Sequence, residues 1–303
     1  MSFEAQVADA LSAVEARPPA AYLWFGRRSE APANALADAI RDRLLADFHA
    51  TGTARPAGAA RVAGGDGGAL ARALSQANRG RGAWQGGWRI GAAEDDGIAV
   101  ERPDGLRLLA PPEDVRDGEV RLPKELLSGT PGMYVALGDA PPAAGGLVRL
   151  SWHIAPAGAV MLVARATFAL NNAALPFRLE VLDDPARYPR RDAAALLVAR
   201  GDFDAVMALM RPLLRALGPH LAEGAPPLAK PLSRGLAVAE EPEDGRSFGA
   251  HRCALLADAV VTAGARGLRD PGERLALVRE RFAAAGLTLA APYLQPGSAD
   301  AYA

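Results

Sequence analysis

In GLVRLSWHIAPAGAVMLVARATFALNNAALPFRLEVL, residues 146–182, the apolar pattern changes period twice. Residues 146–155 read as a strand, residues 156–175 as a helix and residues 176–182 as a second strand. Pro156 sits near the helix start, where its missing N–H costs nothing, and Asn171 and Asn172 sit near its end. Downstream, 192–200 reads as a further strand and 202–221 as a helix that contains Pro212. Two more helices follow, over 249–267 and 271–287, and LQPGSADAYA (294–303) reads as a mobile tail. Upstream, residues 88–115 alternate short apolar runs with EDDG and RPDG, which are hairpin signals. MYVALGD (133–139) is a strand after a Pro/Gly-rich turn. Phe3, Val7, Leu11 and Val14 recur at helical spacing over 3–16, and Pro18 and Pro19 stop that helix. A second amphipathic helix is predicted over 31–52, a flexible Gly/Ala/Pro-rich loop over 53–68 and a helix within 66–80. Tyr22, Trp24 and Phe25 read as core rather than as a peptide-binding surface, because nothing in their spacing demands a ligand. The expected fold is α+β, with antiparallel or mixed sheets flanked by helices. Residues 1–145 form a helical part with a small antiparallel sheet, and residues 146–303 form an α+β part.

Half of the 303 residues are hydrophobic, yet no run reaches the ~20 apolar residues of a membrane span. The longest candidate, AGAVMLVARATFAL from Ala157, is broken by charge. The N-terminus carries acidic residues and no basic start followed by an apolar run, so it is not read as a secretory signal. The one cysteine, Cys253, excludes an internal disulfide. A cytoplasmic protein without a membrane segment is the expectation. The net charge of −1 argues against a broad nucleic-acid surface. Four scattered histidines without zinc-ligand spacing argue against a metal, and no cofactor is expected. ANRGRGAWQGGW (77–88) lacks the Gly-Lys-Ser/Thr of a P-loop, and no GxSxG nucleophile elbow is present.

Two stretches hold residue types suited to an anion. DDPARYPRRDAA (183–194) places Arg187, Arg190 and Arg191 within five positions. Each guanidinium presents a planar fork of donors that matches phosphate oxygens. Against this stands pairing with Asp183, Asp184 and Asp192 at the surface. KPLSRGLAVAEEPEDGRSFGAHRC (230–253) reads as a loop that carries Lys230 and leads into a helix start with Ser247, His251 and Arg252. A helix N-terminus offers free N–H groups to an anion, and Ser247 suits its cap. Only Lys124 and Lys230 are lysines. Lysine can lose its proton where arginine cannot. Taken singly, Lys230 reads as solvated, His251 as an ordinary partly buried histidine and Cys253 as a packing residue; taken together, a lysine, a histidine and an arginine around a helix start read as an anion site.

ANRGRGAWQGGW, LPKELLSGTPGMYVALGD, VRLSWHI, PFRLEVLDDPARYPRRDAA and AKPLSRGLAVAEEPEDGRSFGAHRC, in that order, resemble the HopA-type effector family. The resemblance runs from roughly residue 70 to residue 285, and the last motif is its most specific part. Members include bacterial type III effectors and enzymes encoded beside phosphotransferase-like kinases in peptide natural-product clusters. In class V lanthipeptide and thioamitide pathways such proteins act as lyases. The resemblance therefore implies a lyase that eliminates phosphate from phosphoserine or phosphothreonine in a precursor peptide, leaving dehydroalanine or dehydrobutyrine. Its partners would be that peptide, the kinase and a cyclase. It implies Lys230 as the base, kept neutral by burial and nearby arginines, with Lys124 as the second choice or a phosphate ligand. His251 would give a proton to the phosphate or hold it. Tyr188 would position the peptide or donate a proton. Arg187, Arg190, Arg191 and Arg252 would bind the phosphate. Residues 1–145 would help bind peptide, and 146–303 would form the lyase core. Because the secreted effectors bind immunity proteins, a non-catalytic binding protein is the alternative.

Overall fold

The computed structural model of the chain describes residues 1–54, 67–94, 96–103, 105–141 and 145–303. Most of the loop expected over 53–68, and part of each expected hairpin turn near 95 and 104, lie outside the described residues.

Helix α1 (Phe3–Ala13) is capped by Ser2, whose hydroxyl accepts from the Ala5 N–H at 3.2 Å. It stops earlier than expected, because Val14 pairs with Trp24 rather than continuing the helix. Strands β1 (Val14–Arg17), β2 (Ala21–Trp24) and β3 (Arg27–Glu30) form an antiparallel sheet of their own. Tyr22 and Trp24 are buried as expected, while Phe25 turns outward. Helix α2 (Leu36–Leu44) runs on into one π-helical turn, Leu45–His49. Helix α3 (Gly67–Ala77) follows. Strands β4 (Trp84–Gln85), β5 (Arg89–Glu94), β6 (Gly97–Glu101), β7 (Arg107–Ala110), β8 (Val115–Arg116) and β9 (Glu119–Arg121) make two small antiparallel sheets. The hairpins β5–β6 and β6–β7 are those announced by EDDG and RPDG.

The main sheet has seven strands in the order β10-β11-β13-β14-β12-β16-β15. These are β10 (Glu125–Thr130), β11 (Met133–Leu137), β12 (Leu147–Trp152), β13 (Arg178–Leu182), β14 (Ala194–Ala199), β15 (Lys230–Ser233) and β16 (Leu236–Glu240). Every pairing in it is antiparallel. Helices α4 (Pro156–Asn172) and α5 (Phe203–Leu217) lie between its strands in sequence, and α6 (Phe248–Arg266) and α7 (Pro271–Ala284) follow it. The architecture is thus α+β. No helix among the described residues is long and apolar enough to cross a membrane.

Side chains alternate across a strand, so each strand shows the sheet two faces. Val148, Leu150 and Trp152 of β12, and Leu179 and Val181 of β13, are fully buried on one face. Helices α3, α4 and α5 pack in a row beside this face and reach β11 and β14. Arg149, Ser151, Arg178 and Glu180 stand on the other face. One core extends from Val7 to Tyr302, and a smaller one gathers Trp88, Val100, Ala110 and Val120.

Two expectations for the C-terminal half are corrected. The stretch from Lys230 is an edge hairpin, β15–β16, before it becomes a loop at Glu241. Pro231 is tolerated there because β15 is the last strand of the sheet. The tail is docked rather than mobile: Tyr302 is 2 % exposed, and its hydroxyl donates to the buried Glu240 carboxylate at 2.6 Å.

Candidate functional site

The polar face of the main sheet floors a cavity of about 520 Å³. Its rim is completed by the π-helical turn that ends at His49 and by the start of α6. Four guanidiniums reach it, those of Arg149, Arg178, Arg190 and Arg246. Strand pairing brings the first two together: Arg178 and Arg149 both lie opposite Leu197, one on each side of β14.

Carboxylates hold these arginines. Arg149 donates to Glu241 and, at 3.3 Å, to Glu180. Arg178 donates to Glu180 at 2.8 Å and to the Thr130 hydroxyl at 3.3 Å. Arg190 grips Asp192 with two parallel bonds of 2.8 and 2.7 Å. Arg246 donates to Asp244 at 2.8 Å. Burial disfavours the charge on Arg149, but Glu241 and Glu180 outweigh it and hold the group above its ordinary value. Burial also pushes Asp192 up, and the bond and charge of Arg190 bring it below the usual carboxylate range. Arg149 and the Arg190–Asp192 pair are therefore charged inside the cavity wall.

The wall also contains the N-terminus of α6. The Ser247 hydroxyl accepts from the Ala250 N–H at 3.3 Å, as expected of a cap. Glu241 accepts from the Phe248 N–H at 2.9 Å. A carboxylate at a helix start is favoured by the helix dipole. His49 packs against the same turn. A Cβ on Gly249 would lie 2.5 Å from His49 Nε2, so only glycine lets the ring in. Burial, with Arg190 and Arg149 adding to it and Asp192 opposing, lowers His49 to about 4. The ring is neutral at pH 7. Among the described residues no hydrogen bond reaches its nitrogens.

The expected cap Ser247 lines this cavity, and of the residues given a catalytic or phosphate-binding role in the sequence Arg190 alone does so. It takes the partner foreseen as the alternative, Asp192. Arg191 turns away, donates to the Ala225 carbonyl at 2.8 Å and lies over Gly52 and Gly224. Both glycines have positive φ, and a Cβ on either would strike the guanidinium. Arg187 donates to the Gly132 carbonyl at 2.6 Å. The Tyr188 hydroxyl donates to the Leu182 carbonyl at 2.9 Å, and burial pushes its pKa up. Arg252 is 1 % exposed and donates to the carbonyls of Pro292 and Leu294 at 2.8 and 2.9 Å. His251 Nδ1 lies 2.7 Å from Arg252 Nη1, and burial together with Arg252 and Arg246 lowers it to about 4. Its neighbour Arg246, rather than His251 itself, lines the cavity. Lys124 donates to the Ser75 and Asn78 carbonyls at 3.4 and 3.2 Å, which close the C-terminal end of α3.

The surroundings expected for Lys230 are corrected. No arginine flanks it among its bonded partners. Its ammonium donates to Asp300 at 2.7 Å and to the Tyr302 carbonyl, and sits over the Tyr293 ring at 5.7 Å. These partners tie the side chain to the tail. Cys253 packs as expected, and burial pushes its thiol up.

His49, Arg149, Arg178, Glu180, Glu241 and Arg246 were not singled out in the sequence. A signal existed for two strands. In LVRLSW and RLEVL, charges alternate with apolar residues in strands that are otherwise central. A charge at the middle of a sheet needs a partner or a purpose.

A chain of the effector protein from Pseudomonas syringae pv. tomato strain DC3000 is similar in fold, with 17 % identity and a TM-score of 0.55. The match covers 97 % of this chain and 96 % of that one. The effector protein from Pseudomonas syringae pv. syringae strain 61 aligns over 80 % of this chain and 84 % of its own, with 15 % identity and a TM-score of 0.46. No curated protein matches. The sequence model of the HopA1 effector protein family matches residues 124–294, which carry the whole main sheet and helices α4 to α7. That span is more than half of the chain, and the chain belongs to the HopA1 effector protein family.

Proposed function

We propose that the protein is a lyase that eliminates phosphate from phosphoserine or phosphothreonine in a peptide, and that the cavity between β12, β13 and α6 is its active site. The observation that supports this most is the convergence of four guanidiniums on one cavity beside a helix N-terminus. In the reaction a base removes the Cα proton. The electron pair forms the Cα=Cβ double bond, the Cβ–O bond breaks, and phosphate leaves with the bonding pair. Arg149, Arg178, Arg190 and Arg246 would bind that phosphate as charge gathers on it.

The geometry favours His49 over Lys230 as the base. His49 lines the cavity and is unprotonated, whereas Lys230 is bound to Asp300 and the tail. A phosphate dianion arriving beside the imidazole favours its protonated form and so raises its basicity. His251 would act through Arg246 and Arg252. Residues 1–145 would contribute to peptide binding, and they already supply His49, Thr130 and Met133 to the cavity. The phosphorylating kinase, its precursor peptide and a cyclase would be the partners, in the cytoplasm.

A second reading, a binding protein without chemistry, is favoured by one observation: each of the four arginines already holds a carboxylate. Mass spectrometry of a phosphothreonine peptide incubated with the protein decides between them. Loss of one phosphoric acid per site is the expected result. A peptide that binds but keeps its phosphate, when the authentic precursor and its kinase are supplied, would establish the second reading.

A further inference from the structure

A second cavity, of about 300 Å³, opens beside the charged one. Leu147, Arg178 and Leu197 belong to the floors of both, so the two are one continuous depression on the sheet. The strand register explains the junction. Leu137, Arg178, Leu197 and Arg149 form one cross-strand row. Beyond that row, toward the ends of β12 and β14, the charges stop and Leu147 stands opposite Ala199. The walls are Leu122 and Pro123, which follow β9, and Phe177, which precedes β13. A cavity of about 150 Å³ with an apolar lining suffices for benzene, so this groove has room for one large apolar side chain or two smaller ones. Leu147 is 37 % exposed at its floor, an apolar surface that a ligand would cover.

We infer that this groove binds an apolar side chain of the peptide whose phosphorylated residue occupies the charged cavity, which makes it a specificity pocket. The inference rests on the proposed function for the identity of the ligand. Charge and apolarity lie side by side on one floor, and an extended peptide presents them in the same way. Arg149 and Leu147 are two positions apart on β12, about 7 Å, so the apolar residue falls about two positions from the phosphorylated one. A polar or glycine residue at that position would leave the groove wet.

The test uses fluorescein-labelled phosphothreonine peptides in glycine-serine background. One carries leucines two and three positions before the phosphothreonine, one carries them after it, and one carries none. Fluorescence anisotropy reads binding and a phosphate assay reads turnover on the same peptides. One leucine peptide should bind about tenfold tighter than the leucine-free one, the scale of a filled apolar pocket. Leu122→Gln removes an apolar wall, and Ala140→Trp fills the groove from the loop after β11. Neither residue lines the charged cavity, and each variant should bring the preferred peptide down to the leucine-free level. Equal binding of all three peptides to the unaltered protein overturns the inference, as does a leucine preference that survives both variants. A leucine preference without phosphate release overturns the lyase and leaves the groove standing. No binding of any peptide overturns both.

Discussion

A single histidine carries much of the chemical reading. His49 is buried and held near 4, below the ordinary value of 6.5. The unfolded chain therefore takes up a proton first as the pH falls. The stability gained by keeping this ring neutral is complete above about pH 6.5 and is lost between there and about pH 4. His49→Gln should flatten the acid limb of urea-unfolding stability in that window, by up to about 1.4 kcal/mol per pH unit. His251 lies in the same range and should be altered separately. For activity, Arg178→Ala should lower the rate of phosphate release about a hundredfold, as loss of one charge-stabilising donor does. Lys230→Ala should keep it, and an inactive Lys230→Ala protein of unchanged fold would return the base to the edge hairpin. The arginines of 183–194 were conspicuous in the sequence because they are adjacent. Adjacency misled, since neighbours around a turn point apart: Arg190 enters the cavity, while Arg191 lies over Gly52 and Gly224. Arg149 and Arg178 are separated in the chain and meet only through β14.

Helices α4, α6 and α7 were legible because each carries its own start signal. Pro156 opens α4, Ser247 caps α6, and Asp270 caps α7 by accepting from the Glu273 N–H at 2.9 Å. Gly267 closes α6 in the left-handed conformation at φ 68°. The hairpin β15–β16 was not legible. β15 is short and holds Pro231, and its partner β16 comes after Gly235. The continuous apolar run of β16 suits a strand buried on both faces as well as a loop lying on a core. Two element-level substitutions follow from the packing. Gly249→Ala should cost about 1–3 kcal/mol, because a Cβ there meets the His49 ring, and thermal unfolding reads it. Lys124→Ala removes the cation at the C-terminal end of α3 and should cost about 0.3–1 kcal/mol by the same measurement.

Across the whole molecule, α1, β1 and α2 share one core with α6, α7 and the tail. Composition and periodicity could place these helices along the chain but not against one another. Such contacts are written in no local pattern. The same holds for Tyr302, whose partner Glu240 is 62 positions away. Tyr302→Phe removes the donor to Glu240 Oε1, while the Gln295 N–H and Arg200 still hold Oε2, and should cost about 1–3 kcal/mol, read by denaturant unfolding. Arg274 donates to the Val14 carbonyl across 260 positions of chain. A ribosome that has just released β1 must therefore add the 260 positions that separate Val14 from Arg274 before the α6–α7 cover is complete. Until α6 and α7 arrive the β1–β3 sheet has an uncovered apolar face, which exposes the nascent chain to chaperones and proteases.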